Sequence, residues 1–358
     1  MKITHIHIER FRGFQNEDFE VGSLLTAIAG QNGTQKSTLL GIITQTFTLK
    51  TEDSMRVEKP LCGGSYISAF KDKFRLSPTF DKPKGHEWTI SFDAGMDDFT
   101  VESIKRTGDP NVRFWKKGAR QEGDGYISFP TIFLSLKRLV PVAEEAKIIT
   151  DDTLLTQEEL NEFKQLHNKI LIAQTPISSA TTITSKNKQS IGVSTELYDW
   201  NQNSMGQDNL GKIILALFSF KRLHDKYPRQ YKGGILAIDE MDATMYPASQ
   251  VELLKVLRKY ASKLNLQILF TTHSMSLLKA MDDLVQEVTK KEETANQAKI
   301  LYLKKVDDKI AIKQGVNFKG IQLDLNVVAE GNNRKKNRIT AYTEDKENIL
   351  FVKAILKS

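Results

Sequence analysis

Gly30-Gln31-Asn32-Gly33-Thr34-Gln35-Lys36-Ser37-Thr38 has the composition of a loop that wraps phosphate. In the pattern G-x-x-x-x-G-K-[ST], successive backbone N–H groups face the phosphates at the positive end of a helix. The lysine reaches the β and γ oxygens, and the hydroxyl that follows ligates Mg²⁺. Lys36 and Ser37 fill the last two roles, while Gln35 stands where the pattern has glycine. A side chain there restricts how closely the backbone approaches the ligand. The loop therefore predicts ATP binding with slow turnover.

The carboxylates needed for the same chemistry come later in the chain. Ile235-Leu236-Ala237-Ile238 is an apolar run ending in Asp239-Glu240. At the C-terminal end of a buried strand, Asp239 can hold Mg²⁺ and Glu240 can polarise the water that attacks the γ-phosphate. A second run, Leu266-Gln267-Ile268-Leu269-Phe270, leads into Thr271-Thr272-His273-Ser274, where His273 can hydrogen-bond a γ-phosphate. Taken alone, a strand-end histidine is more often structural; Asp239-Glu240 upstream favours the catalytic role. Asn203-Ser204-Met205-Gly206-Gln207-Asp208 precedes the helical pattern Leu210, Ile213, Ile214, Leu217, Phe218. Ser and Gly at a helix N-terminus make a second anion cradle, and one chain does not need two for one nucleotide, which argues for a dimer. Without a ligand, the same residues read as an ordinary capped helix start.

The elements that must position these groups are short and apolar. Leu24 to Ala29 reads as a buried strand and Ser37 to Ile43 opens a helix, the strand, loop, helix context the phosphate pattern requires. Met1 to Ile8 alternates apolar and polar residues as a half-buried strand does, then runs into Arg10-Phe11-Arg12-Gly13-Phe14. In order, these motifs resemble the ABC-type ATPase heads of the SMC, RecF and OLD (overcoming lysogenisation defect) branch. That resemblance implies an α/β fold: an ABC-type P-loop NTPase with a flanking antiparallel β lobe and a helical insertion. It implies that Gly30 to Thr38 binds ATP with Arg12 close by, that Ser37 and Asp239 hold Mg²⁺, and that Lys36, Glu240 and His273 are catalytic. It further implies that Ser204, Gly206 and Gln207 cap the γ-phosphate of a second protomer in trans, and that Asp242 to Pro247 forms the dimer-contacting loop. Within the branch, Gly206-Gln207-Asp208 and Phe218-Ser219-Phe220-Lys221-Arg222 are most similar to the ATPase subunit of Septu and retron-associated anti-phage systems.

Along the chain, residues 1–290 read as the ATPase domain, with the β lobe at about 63–130 and a helical or loop insertion at about 150–200. Glu87 to Phe92 and Phe99 to Ile104 form a hairpin signal, Thr131 to Leu136 a strand returning to the core, and Thr156-Gln157-Glu158-Glu159 a capping box opening a helix towards Ile172. Lys137-Arg138 at the strand exit suits either the nucleotide side or the surface. Thr175 to Thr195, rich in Ser, Thr, Lys and Gln, reads as a loop. No heptads are present, so a compact head is expected in place of the long coiled coil of SMC proteins. Met275 to Val288 reads as helix and residues 291–336 as a β-hairpin and linker. Arg338 to Leu356 resembles the first strand and helix of a TOPRIM-type domain, with Glu344 where OLD relatives present a metal-binding glutamate and helix capping as its equal alternative. The chain ends at Ser358 without the later acidic motif, which reads as a truncated or vestigial module with no nuclease activity of its own.

Composition bounds the partners. The 358 residues are 40% hydrophobic, enough for a large core, and contain no bilayer-length apolar run or signal-like start. With Cys62 as the single cysteine, the chain reads as a cytoplasmic enzyme with an inert thiol. The formal net charge of +7 and the runs Lys105-Arg106, Arg113, Lys116-Lys117, Arg120 and Arg334-Lys335-Lys336 with Arg338 admit nucleic acid as a partner. Phe114 and Trp115 lie among them as stacking candidates, although such runs are commonly solvated hairpin faces. Three functions follow: an ATPase dimerising around ATP to control an effector, a nuclease by the resemblance, in anti-phage defence; a RecF-like or SMC-like DNA-binding ATPase of genome maintenance; and a transporter subunit. Nothing in Arg10 to Phe14 or the basic hairpins serves the third.

Overall fold

The computed structural model describes residues 1–66, 70–93, 95–105, 112–119, 125–139, 148–151, 154–185 and 189–330. The residues Arg106, Arg120, Arg334, Lys335, Lys336 and Arg338, and the TOPRIM-like segment with Glu344, lie outside them.

Strands β1 (Ile3–Phe11) and β2 (Phe14–Glu20) form a hairpin, followed by β3 (Leu25–Gly30) and helix α1 (Lys36–Thr44). Ile6 and Ile8 keep the period of two on the buried face of β1. Ile3 and Phe11 keep that face at spacings of three because register shifts against the neighbouring strand fall between Ile3 and His5 and between Ile8 and Arg10. After β4 (Phe47–Thr48) and the one-turn helix α2 (Phe70–Lys73) come β5 (Glu87–Phe92), β6 (Phe99–Lys105) and β7 (Val112–Lys116). The expected hairpin of β5 and β6 is present, but the antiparallel lobe is larger than a 63–130 insertion. Its five strands run in the order β2-β1-β5-β6-β7, so the N-terminal hairpin supplies two of them.

The chain continues through β8 (Ile127–Ser128), β9 (Thr131–Leu134), β10 (Ile149–Asp151) and α3 (Gln157–Leu171), whose Thr156/Glu159 capping box is formed. Then come β11 (Ser179–Thr184), β12 (Gln189–Ser194), α4 (Met205–Lys226), β13 (Gly234–Ile238), α5 (Pro247–Lys263), β14 (Leu266–Thr272) and α6 (Met275–Val288). The loop expected at 175–195 is instead a β-hairpin, β11 with β12, extended by β10 into a three-stranded sheet. Its Thr, Ile and Val residues suit a pleated surface, and Ile183, Ile191 and Val193 face the core.

The last strands, β15 (Ala298–Val306) and β16 (Lys309–Lys313), revise the boundary drawn at 290. The hairpin expected within 291–336 is present as β15 and β16; β15 runs parallel to β3, so the hairpin completes a six-stranded sheet in the order β16-β15-β3-β14-β13-β9. From β15 to β9 this sheet is parallel, and β3, β13 and β14 are buried at every position, so both faces are covered. One apolar cluster joins this sheet to the lobe, with Ile28, Ile235, Leu269 and Leu301 on the sheet and Ile6, Trp88 and Phe114 on the lobe. A separate compact unit begins at Lys319, and nearly all of helix α7 (Phe318–Glu330) belongs to it. No described helix is long and apolar enough to cross a membrane.

Candidate functional site

Strand order alone brings the predicted groups to one edge. β14 lies between β3 and β13, and all three run parallel, so their C-terminal ends place the Gly30–Thr38 loop, Thr271 to His273, and Asp239-Glu240 side by side.

The contacts there form a chain. Ser37 Oγ donates to Asp239 Oδ1 at 2.9 Å, and Thr271 Oγ1 donates to the same oxygen at 2.7 Å. Thr271 Oγ1 in turn accepts from the Glu240 N–H at 2.6 Å. One threonine therefore fixes both the carboxylate of Asp239 and the peptide of Glu240. Glu240 adopts φ 49°, the left-handed region that costs a non-glycine residue about 1–2 kcal/mol. Such strain persists only where neighbours hold it. Thr271 holds the N–H side, and Arg138 holds the carbonyl side through its NH2 at 2.8 Å.

Within the loop, Lys36 Nζ donates to the carbonyls of Gly30 at 3.1 Å and Gln31 at 2.9 Å, closing the loop on itself. Burial pulls the Lys36 pKa below its ordinary value, and Glu240, Asp239 and Asp242 oppose the shift. Thr34 is buried and donates to the Gln31 carbonyl at 2.8 Å; Asn32 and Gly33 are exposed, and Gly33 has φ 80°. Ser37 is exposed and Thr38 half-buried in the first turn of α1. Gln35 supplies the left-handed residue that a glycine would otherwise provide, at φ 62°. Its side chain packs against the β1–β2 turn at Gly13, and its Oε1 is buried without a hydrogen-bond partner, so packing rather than a polar contact sets its orientation.

His273 is exposed at the end of β14, and its N–H donates to Asp242 Oδ1 at 3.3 Å. Burial first, then Lys36, lowers its pKa, which favours the neutral ring. The serine after it, Ser274, caps α6. Ser204 and Gln207 form a complete capping box at the start of α4. Gly206 is needed for a close approach, because a Cβ there would meet the Thr244 carbonyl oxygen at 2.5 Å. Within the chain, these residues dress the helix start that faces the turn after Glu240.

Arg12, expected beside the nucleotide, commits its guanidinium elsewhere. Nε and NH2 take Asp81 in a two-pronged pair at 3.1 and 3.0 Å, and NH2 also donates to the Arg75 carbonyl. Its neighbour Gly13 is the residue that meets the loop. Phe114 cannot stack on a base because it is buried among Phe11, Trp88 and Phe74. Trp115 lies under Arg113 at 4.4 Å, and Lys117 is paired with Glu87. Cys62 is buried, which pushes its thiol up to about 11.

Three groups at this edge escaped the sequence reading. Thr271 was signalled only as a polar residue ending an apolar strand. Arg138, left open between nucleotide and surface, is 2% exposed, and Asn209, wholly buried on α4, is its partner. The donor set suits Mg²⁺ with a nucleotide: an exposed hydroxyl and a fixed carboxylate stand at hydrogen-bond distance beside a lysine and the N-terminus of α1. Among the described residues, no group of three or more His, Cys, Asp or Glu could hold a metal ion by itself.

A family model described as AAA ATPase domain (AAA_15) matches residues 1–190 and 135–278. No curated protein matches the chain. Among solved structures, the SMC head bound to the C-winged helix domain of ScpA is similar in fold, with a TM-score of 0.53 at 14% identity over 90% of this chain and 100% of that one. The SMC head domain from Thermotoga maritima gives a TM-score of 0.47 at 14% identity over 88% and 100%. The recombination mediator RecF with ATPrS gives 0.43 at 11% over 88% and 98%.

Proposed function

Because the chain belongs to the AAA ATPase domain family, we propose that it binds ATP on the Gly30–Thr38 loop and hydrolyses it with Glu240. The observation that supports this reading is the hydrogen-bonded chain Ser37–Asp239–Thr271–Glu240, which brings a hydroxyl and two carboxylate residues to one sheet edge, the residue types that metal binding and general-base work need. Mg²⁺ held by Ser37 and Asp239 supplies charge neutralisation for the phosphates. Lys36 is released from the Gly30 and Gln31 carbonyls to phosphate oxygens. Glu240 accepts the proton of the water that attacks the γ-phosphorus, and ADP and inorganic phosphate leave. His273, neutral and exposed, donates to the γ-phosphate. Lys36→Ala is expected to abolish ATP binding and Glu240→Gln to keep binding while abolishing turnover, both read by calorimetry and phosphate release. Binding by Lys36→Ala equal to wild type would sink the loop assignment.

On this reading, ATP joins two heads, with Ser204, Gly206 and Gln207 of each facing the nucleotide of the other, and hydrolysis parts them. Ser204 and Met205 are exposed at the start of α4, whereas Gly206 is buried against Thr244 and the Gln207 N–H is held by Ser204 Oγ, so the cap on this reading is offered by the exposed Ser204–Met205 end. The joined state controls a partner protein, an effector nuclease of anti-phage defence. The solved SMC head of this fold was captured with the C-winged helix domain of ScpA, and a protein partner is the corresponding proposal here. Direct binding of DNA is the second reading, favoured by Arg113 and Lys116 exposed on the edge strand β7. DNA affinity that falls steeply with salt in the presence of ATP, and less steeply in Arg113→Ala/Lys116→Ala, is its test.

A further inference from the structure

Arg138 is a buried cation without a carboxylate in ion-pair range among the described residues. It follows β9 in a short 3₁₀ turn, Leu136–Leu139, and spends its donors on neutral acceptors. Nε donates to Asn209 Oδ1 at 2.7 Å, NH2 to the Glu240 carbonyl at 2.8 Å, and NH1 to the carbonyls of Leu134 at 3.3 Å and Ser135 at 3.1 Å. Burying a guanidinium this way is costly, and a well-packed apolar residue would stabilise the fold at least as well.

Its partners close a ring. Asn209 Nδ2 donates to the Ala243 carbonyl at 3.0 Å, and the Ala243 N–H donates to the Glu240 carbonyl at 3.1 Å. Arg138 and Asn209 thus grip the Glu240–Ala243 turn at both ends. Asn209 lies on α4, a little less than one turn after Gly206, whose backbone touches the Thr244 carbonyl. Glu240 and Thr244, at φ 49° and 68°, are both left-handed, so the turn sits between two strained residues. Most polar ties that hold it run to Arg138, to Thr271 or to α4; Gln250 on α5 and the His273 N–H add one each at Asp242, at 3.2 and 3.3 Å.

We infer that Arg138 is a positioning residue that couples the helix start at Ser204–Gln207 to the carboxylate of Glu240. It does not touch the nucleotide. When α4 is seated, the ring keeps Glu240 in its strained conformation; when α4 shifts, Asn209 moves and the Glu240 peptide relaxes out of line. This rests on the proposed hydrolysis at Glu240. It adds that completion of the site at the α4 end and readiness of the base are one event. Burial lowers the Arg138 pKa to about 10, against the pull of Asp239, Glu240 and Asp242, so the group stays charged at neutral pH.

The test is a double-mutant cycle on the full chain with Arg138→Gln and Asn209→Ala, reading the ATP dissociation constant and kcat separately. Each single variant is expected to lower kcat about tenfold or more while the dissociation constant changes less than about threefold. The double variant should be no slower than the slower single variant. Asn209→Asp keeps the side-chain volume and the acceptor for Arg138 but loses the donor to the Ala243 carbonyl, so it should stay slow, whereas loss of packing alone would let it recover. Multiplying effects, or ATP affinity lost in step with kcat, would overturn the coupling. Should Arg138→Gln fail to fold, Asn209→Ala decides alone: a wild-type kcat overturns the inference. A wild-type protein that binds ATP without turnover removes the proposed function, and the coupling with it, whereas an active wild type with an equally active Asn209→Ala removes only the coupling.

Discussion

Gln35 Nε2 stands 2.8 Å from where a Cβ on Gly13 would sit, so the side chain at the start of α1 and the missing one in the β1–β2 turn are fitted to each other. The same Cβ would meet Ile310 Cγ1 at 2.7 Å, and the Ile310 N–H donates to the Gly13 carbonyl at 2.8 Å. The departure from glycine in the phosphate loop is thereby absorbed outside the loop. Gly13→Ala is expected to cost about 1–3 kcal/mol by overpacking, and less in a Gln35→Gly background. Urea denaturation of the four proteins measures it, and equal costs in both backgrounds would refute the fit.

The same packing ties the loop to a neighbour and bears on rate. Gln35→Gly is expected to keep ATP binding and to raise kcat, because the loop is freed from its packing at Gly13. Steady-state phosphate release compares the two proteins. An unchanged kcat would make Gln35 a neutral replacement.

Thr271 serves two carboxylate residues at once. Thr271→Val removes both hydrogen bonds at nearly constant volume and leaves the Glu240 N–H without a partner, a loss of about 1–3 kcal/mol in stability. Turnover is expected to fall about tenfold or more, with ATP affinity nearly unchanged, since Lys36 and the loop are untouched. Thr271→Ser should restore it; a Thr271→Val enzyme with wild-type turnover contradicts the role.

The pairing of Arg12 with Asp81 fastens the β1–β2 turn to the segment between α2 and β5. Burial pushes the Asp81 carboxyl up, but Arg12, the Ser77 N–H and His86 outweigh it and hold the pKa at about 2. A carboxyl depressed in the folded state stabilises the protein above its unfolded pKa, about 4, and that stability is lost as the pH falls towards 2. Melting temperature should therefore drop between about pH 4 and pH 2 more steeply in wild type than in Asp81→Asn. Parallel curves would show that the pair contributes nothing.

What could be read in the sequence was whatever is local. The loop, Asp239-Glu240 and the Thr156 capping box each follow from residues adjacent in the chain, and the apolar runs before them identify buried parallel strands. The pairing of β15 with β3 joins residues near 300 to residues near 27, a relation that no local periodicity encodes. The β11–β12 hairpin was hidden by its Ser and Thr content, because several of its buried positions, Thr182, Ser190 and Gly192 among them, are not apolar side chains. Thr271, Asn209 and Arg138 carry their meaning in partners distant in sequence, 31 to 102 residues away. The Arg12 pairing with Asp81 could not be read from residue type, because a guanidinium suits a phosphate as well as it suits a carboxylate.

The most direct measurement is sedimentation of wild type and Glu240→Gln with and without ATP and Mg²⁺. The account predicts that Glu240→Gln, which binds but cannot hydrolyse ATP, accumulates as a dimer only when both are present, and that Ser204→Arg abolishes that dimer without abolishing ATP binding. ATP-bound Glu240→Gln that sediments as a monomer at every concentration would contradict it.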